Sequence, residues 1–139
     1  MGWANAGSGK RPFDFPTLTH PLRREGLLSM RLTPEDQTWL EAYRQALAQQ
    51  FPALVQHLIL FGSKARGTAT ADSDLDLLVV IQQGDWRLKD AVTEAGYLLA
   101  IGTDVVPSII VLTVEEWGRL QKREAPFWQT VTRDGVAVQ

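Results

Sequence analysis

The sequence predicts a mixed α/β fold of the α+β class, in which helices pack on a β-sheet. Three apolar runs, at residues 58–61, 74–81 and 104–112, have the length of buried strands and are bounded by turn-forming residues. Stretches with apolar residues at helical spacing lie around them, which gives the order helix, strand, strand, helix, strand, helix. Pro107 has no backbone N–H to donate, so the third strand is expected at an edge of the sheet or at a bend.

The predicted helices have clear start signals. Thr33 is expected to cap a helix that runs to about residue 50, with Asp36 as the acid of a capping box. A second helix is predicted over residues 85–100, where apolar side chains recur at helical spacing. A further capping box predicts a short helix over residues 113–121.

Domain organisation follows from the length of the chain and from a change in its composition. At 139 residues the chain is predicted to form one domain. Residues 1–29 are rich in glycine, proline and basic side chains without sustained periodicity, so they are predicted to be a loosely ordered N-terminal extension. Residues 30–139 are predicted to be the folded domain, which ends in an amphipathic turn near Trp128 and an edge strand over residues 135–138.

Composition excludes several classes of protein. With 14 basic and 16 acidic side chains the formal charge is −2, so nothing indicates a long nucleic-acid footprint. The absence of cysteine excludes a disulfide framework and thiol-rich zinc sites. The sequence has neither an apolar run of membrane-spanning length nor the apolar block of a secretory signal. The expected location is therefore the cytoplasm, with no membrane partner.

Residues 62–67 have the features of a phosphate-binding turn. Gly62 closes an apolar strand and lets the backbone approach a ligand closely, while Ser63 offers a hydroxyl at the start of a short helical segment. Lys64 and Arg66 add positive charge beside the turn. These four residues are therefore predicted to bind phosphate.

Two carboxylates stand at the head of the second predicted strand. The two-residue period of a strand places Asp74 and Asp76 on one face, with Cα atoms about 6.7 Å apart. At an effective dielectric constant of 20, two unit charges at that separation repel by about 2.5 kcal/mol, for which a core strand has no structural use. A bound cation would remove this cost, and carboxylate oxygens suit Mg²⁺ or Mn²⁺.

Together the two motifs resemble the signature of the minimal nucleotidyltransferase domains in the DNA polymerase β-like superfamily. That signature is Gly-Ser followed by Asp-x-Asp in a strand, and here ten residues separate Ser63 from Asp74. Family members commonly carry Gly-Ser-Arg-Ala-Arg-Gly at the turn, and this chain has Lys64 at the first basic position. Weaker similarity extends the resemblance over residues 30–139, which implies a polymerase β-like nucleotidyltransferase fold for that region.

The resemblance implies an enzyme that transfers a nucleoside monophosphate from ATP or another nucleoside triphosphate to a hydroxyl, with AMP as the first candidate for the transferred group. The turn at Gly62 and Ser63 would hold the β- and γ-phosphates, while Asp74 and Asp76 would hold the metal ions. In this superfamily a third carboxylate on a later strand helps to activate the acceptor hydroxyl. At the corresponding strand this chain offers Asp104, whose alternative interpretation is a turn residue. Asp74, Asp76 and Asp104 are therefore the predicted catalytic and metal-binding residues.

The resemblance also implies a partner. Small members of the family resemble one half of bacterial toxin–antitoxin pairs, in which the transferase modifies a separate helical protein of the HEPN type. One alternative is a non-catalytic antitoxin that binds metal or nucleotide and acts by direct contact. Another is a small-molecule transferase acting on an antibiotic hydroxyl, which usually requires a second domain or a dimer. The acceptor, the preferred base, the number of monophosphates transferred and a homo-oligomeric state stay open from sequence.

Overall fold

The computed structural model of the chain describes residues 15, 17–18, 32–70 and 73–138. The strands in this part of the chain are β1 (Thr17–Leu18), β2 (Val55–Phe61), β3 (Leu75–Ile81), β4 (Pro107–Thr113) and β5 (Val136–Val138). The helices are α1 (Pro34–Gln50), α2 (Gly62–Arg66), α3 (Trp86–Ala100), α4 (Val114–Lys122) and α5 (Pro126–Asp134). The prediction of an α+β fold with helices on a mixed sheet is confirmed.

The five strands form one sheet in the order β1-β5-β2-β3-β4. Strands β2 and β3 pair antiparallel, whereas β4 lies parallel to β3 and β1 lies parallel to β5. Strand β4 ends the sheet, as Pro107 predicted. The prediction of an edge strand over residues 135–138 is wrong, because β5 lies between β1 and β2 and pairs with both.

Two apolar layers cover the two faces of the sheet. The side chains of α1 and α3 pack on one face, where Leu77 and Val79 of β3 are fully buried. Helices α4 and α5 pack on the other face, where Leu78 and Val80 are fully buried against Trp117. Strand β3 is therefore apolar at almost every position, since both of its faces are covered.

Local signals set the starts of the helices as predicted. Thr33 and Asp36 form a reciprocal capping box at the start of α1. Thr113 and Glu116 form a second one at the start of α4. Asp85 caps α3 by accepting hydrogen bonds from the backbone of its first turn. No helix in the described part of the chain is long and apolar enough to cross a membrane.

Part of the predicted N-terminal extension belongs to the folded domain. Thr17 and Leu18 form β1, and Phe15 is only 9% exposed in the apolar layer beneath α4 and α5. Gly135 packs closely against Phe15, because a β-carbon built on this glycine would lie 2.9 Å from the phenyl ring. The other residues of the extension, and the predicted boundary at Met30, lie outside the described residues.

Candidate active site

The turn at Gly62 brings the end of β2 against the start of β3. Phe61 is paired with Asp76 in the antiparallel register, and Gly62 follows with a φ of +78°. A β-carbon built on Gly62 would lie 2.2 Å from Oδ2 of Asp76. Glycine is thus required at this position for two reasons: the backbone is left-handed, and the Asp76 carboxylate approaches too closely for a side chain.

The two predicted metal-binding carboxylates lie together. Asp74 is exposed just before β3, and Asp76 is half-buried in the second position of that strand. Partial burial raises the pKa of Asp76, and the negative charge of Asp74 raises it further, whereas Arg66 and Ser108 act in the opposite direction. The pair is therefore a site of excess negative charge, which a divalent cation would relieve.

Arg66 lies close enough to this pair to lower the pKa of Asp76. Its guanidinium is held by Asp134 at the end of α5, with 2.9 Å between Nη1 and Oδ2. The side chain of Asp134 is 5% exposed and that of Arg66 is 40% exposed. Arg66 is therefore anchored on one side while part of its guanidinium reaches solvent, which leaves it available to a phosphate.

The structure corrects the prediction for Lys64. Its ammonium group is buried, and Nζ lies 2.5 Å from Oδ2 of Asp36 in α1. The side chains of this pair are 5% and 2% exposed. Separating a buried ion pair typically costs about 3–5 kcal/mol, so Lys64 serves to hold α2 against α1 and is not available to a phosphate.

Ser63 directly precedes Lys64 at the start of α2. Its side chain is half-buried, and its hydroxyl makes no hydrogen bond with the residues that the structure describes. Its backbone carbonyl accepts from Thr68, which closes the turn after α2. The prediction that Ser63 binds phosphate stays a prediction, and a hydroxyl without a partner among the described residues is compatible with it.

Asp104 is not brought into the carboxylate cluster. It is exposed in the turn that precedes β4, and no group of three acidic, histidine or cysteine side chains within the described ranges could hold a metal. The parallel register of β3 and β4 instead places Ser108 beside Asp76. The predicted triad of Asp74, Asp76 and Asp104 is therefore absent among the described residues, because Asp104 lies before the strand rather than in it.

Three residues that sequence reasoning missed complete the site or hold its parts. Ser108 lies beside Asp76, Asp36 pairs with Lys64, and Asp134 pairs with Arg66. Asp36 was assigned only to the cap of α1, and its carboxylate performs both roles. The one signal available for Ser108 was a polar residue near the start of an otherwise apolar strand.

Comparison with protein families agrees with this geometry. The family model described as a nucleotidyltransferase domain matches residues 40–125, which include the Gly62 turn, Asp74, Asp76 and all of β4. A search of curated protein sequences finds no match. The matched region is more than half of the chain and carries the α+β architecture expected of such a domain. The chain belongs to the nucleotidyltransferase domain family.

Proposed function

We propose that this chain is a metal-dependent nucleotidyltransferase that moves a nucleoside monophosphate from a nucleoside triphosphate to a hydroxyl. AMP is the first candidate for the transferred group. The observation that carries the proposal is the close approach of the Gly62 turn to Asp76, with Asp74 and Arg66 beside it. This arrangement puts a phosphate-sized turn, the guanidinium of Arg66 and two carboxylates at one end of the sheet.

The donor set fits a hard divalent cation. Asp74 and Asp76 offer oxygen ligands only, and Mg²⁺ is typically held by one or two carboxylates together with the phosphates of the substrate. When bound, such a cation neutralises charge on the triphosphate and on the leaving pyrophosphate. The exposed part of Arg66 would contact a phosphate oxygen, and Ser63 would donate its hydroxyl to another.

In the proposed reaction the acceptor hydroxyl attacks the α-phosphorus of the nucleotide. A new O–P bond forms, the bond between the α-phosphorus and its bridging oxygen breaks, and pyrophosphate leaves with the electron pair. The hydroxyl proton passes to solvent or to a base on the acceptor. The part of this chain in the reaction is to align and to neutralise the phosphates.

The proposed acceptor is a hydroxyl on a separate protein, with a HEPN-type helical partner as the specific candidate. Support comes from large apolar side chains exposed at the end of α3 and just before the edge strand β4. Leu98 is 59% exposed, Ile101 is 74% exposed and Val106 is 53% exposed. Exposed apolar surface of this kind is typical of a region that a protein partner covers.

A second candidate function is nucleotide and metal binding without transfer, in which the chain acts on its partner by contact. The exposed position of Asp104 favours this candidate, because the described carboxylates at the site are then Asp74 and Asp76 alone. The two candidates differ in whether the α-phosphate becomes covalently attached to another molecule.

The test is to incubate the purified chain with α-labelled ATP and Mg²⁺, in the presence of a bacterial lysate or a purified helical partner. Mass analysis of each labelled species should show addition of adenylate to a protein. Asp74→Asn should remove the label, whereas Asp90→Asn, which changes an exposed aspartate of α3, is the matched control. Label on a small molecule would identify a different acceptor class. Nucleotide binding without any label would favour the second candidate, and absence of both would refute the proposal.

A further inference from the structure

A groove opens beside α4, near the last residues of β4. Its volume is about 460 Å³, and the described residues that line it are Leu112, Glu116, Arg119, Leu120, Lys122 and Arg123. Four of these lie at positions i, i+3, i+4 and i+7 of α4 and its C-terminal cap, so they share one face of the helix. The two leucines are half-buried, whereas the three basic side chains are exposed. The α4 groove therefore has an apolar floor and a basic rim.

The rim carries positive charge that the described part of the chain does not neutralise. Lys122 and Arg123 form no ion pair with any residue that the structure describes. Arg119 pairs at 3.4 Å with a glutamate one turn earlier, but the two side chains are 62% and 81% exposed, so the pair contributes little. Glu116 pairs with Lys89, with 2.7 Å between Nζ and Oε1, so its charge does not cancel that of the rim. The rim is thus a locally positive surface on a chain whose formal charge is −2.

An acidic protein segment fits both features of the α4 groove. Basic side chains in the last turn of a helix complement the helix dipole, which accounts for the rim but not for the apolar floor of Leu112 and Leu120. Single-stranded nucleic acid stacks its bases on aromatic side chains, and none of the described residues that line the groove is aromatic. A segment whose carboxylates surround an apolar side chain would pair with the rim and cover the floor.

The same face of β4 connects the α4 groove with the carboxylate site. Ser108, Ile110 and Leu112 alternate along β4 and face the side of the sheet that carries α4 and α5. None of the three is buried, and Ile110 is 37% exposed although its neighbour in β3, Leu78, is fully buried. Ser108 is paired with Asp76, and four strand residues, or about 13 Å, separate it from Leu112. A protein segment in the groove therefore has an exposed path to the carboxylates.

We propose that the α4 groove binds an acidic segment of the acceptor protein. An apolar side chain of that segment packs on Leu112 and Leu120, and its carboxylates pair with Lys122 and Arg123. This inference rests on the proposed function, because it takes a protein as the acceptor. It adds the chemistry by which the acceptor is recognised, and it places the docking surface apart from the metal and nucleotide site.

The first test measures binding of a peptide to the intact chain by fluorescence anisotropy. The probe is a fluorescein-labelled helical peptide in which two leucines, one turn apart, are surrounded by glutamates. The control peptide has lysine in place of each glutamate. We expect the acidic peptide to bind and the basic peptide not to bind. The affinity for the acidic peptide should fall as salt is added, since exposed charges are screened.

Variants locate the binding surface. Lys122→Glu and Arg123→Glu should each weaken peptide binding by about fivefold, the upper range for one exposed ion pair. Arg87→Glu is the matched control and should leave the affinity unchanged, because Arg87 is 74% exposed and does not line the groove. Leu120→Ala should also weaken binding, since it removes part of the apolar floor. Circular dichroism on each variant confirms that the fold is retained.

The second test uses the transfer of label from α-labelled ATP to the acceptor protein. The double variant Lys122→Glu with Arg123→Glu should lose this transfer, yet it should bind an ATP analogue with a methylene α,β-bridge as tightly as the natural chain does. Unchanged transfer by the double variant would overturn the inference and leave the proposed function standing. Absence of label with the natural chain, together with binding of the acidic peptide, would refute the transfer and keep the groove as a docking surface.

Other occupants of the groove would give different results. Equal binding of the acidic and basic peptides, or binding that the Lys122 and Arg123 variants do not change, would overturn the inference. An oligonucleotide that binds more tightly than the acidic peptide and competes with it would identify nucleic acid as the occupant instead. A dimer of the natural chain in sedimentation that the double variant loses would identify a second copy of the chain. Either result would also overturn the inference.

Discussion

Replacement of Gly62 by alanine perturbs the backbone and the candidate site at once. The φ of +78° is a left-handed conformation, which costs an L-residue with a side chain about 1–2 kcal/mol. The new β-carbon would lie 2.2 Å from Oδ2 of Asp76. That oxygen must therefore move by about 1 Å to reach ordinary contact. An off-rotamer carboxylate adds about 0.5–1.5 kcal/mol.

The expected loss of stability for Gly62→Ala is therefore about 2–3 kcal/mol, or roughly 6–10 °C in Tm for a chain of this size. Gly102→Ala is the matched control, because Gly102 has a φ of +83° and no atom within 4 Å of an added β-carbon. It isolates the backbone cost of about 1–2 kcal/mol. Urea denaturation with each variant gives the free energies of unfolding.

A double-mutant cycle shows whether the extra cost comes from the carboxylate. In the background of Asp76→Ala, Gly62→Ala should cost no more than Gly102→Ala, because the overlapping oxygen is gone. Gly62→Ala alone should also abolish Mn²⁺-dependent nucleotide binding, since Asp76 is displaced. The reasoning is refuted if Gly62→Ala and Gly102→Ala cost the same in the natural background and Gly62→Ala still binds the metal-bound nucleotide.

The remaining predictions concern stability. Asp36→Asn should destabilise the chain by about 3–5 kcal/mol in urea, because it leaves Lys64 buried without its partner; a loss below about 1 kcal/mol would contradict the buried pair. Phe15→Ala should cost about 3 kcal/mol if this residue is part of the core, and thermal melting equal to that of the natural chain would contradict it. Hydrogen bonds from Arg133 and Arg66 lower the pKa of Asp134 in the folded chain. The stability that ionised Asp134 contributes is therefore fully present above its pKa in the unfolded chain, and it is lost as the pH falls through its pKa in the folded chain. Denaturation between pH 3 and pH 7 should therefore show a smaller acid-induced loss for Asp134→Asn, and an unchanged profile would contradict the assignment.

The predictions that succeeded depend on residues close together in sequence. The capping boxes at Thr33 and Thr113 join side chains and backbone groups three residues apart, so their pattern is visible before the chain folds. The strands β2 and β3 were recognisable because residues 58–61 and 77–81 are apolar and buried on both faces of the sheet. The short strand β5 was placed wrongly, because its second neighbour is β1, more than a hundred residues away.

The candidate site likewise contains residues that local sequence predicts and residues that only distant contacts place. Gly62, Asp74 and Asp76 were found from sequence, since a turn and the alternation of an extended chain place them by local geometry. The burial of Lys64 and the partial exposure of Arg66 could not be predicted from sequence, because each side chain pairs with an aspartate of a distant helix. Asp36 pairs with the buried ammonium group of Lys64. Asp134 pairs with the guanidinium of Arg66, part of which stays exposed.

By itself the sequence determined the class of fold, the starts of the helices and the two motifs that carry the chemistry. These depend on propensity, periodicity and short spacing, which act over a few residues. Only the tertiary structure decided that Ser108, and not Asp104, lies beside Asp76. Strand register is set by the packing of whole faces, and it fixes which distant side chains share a site.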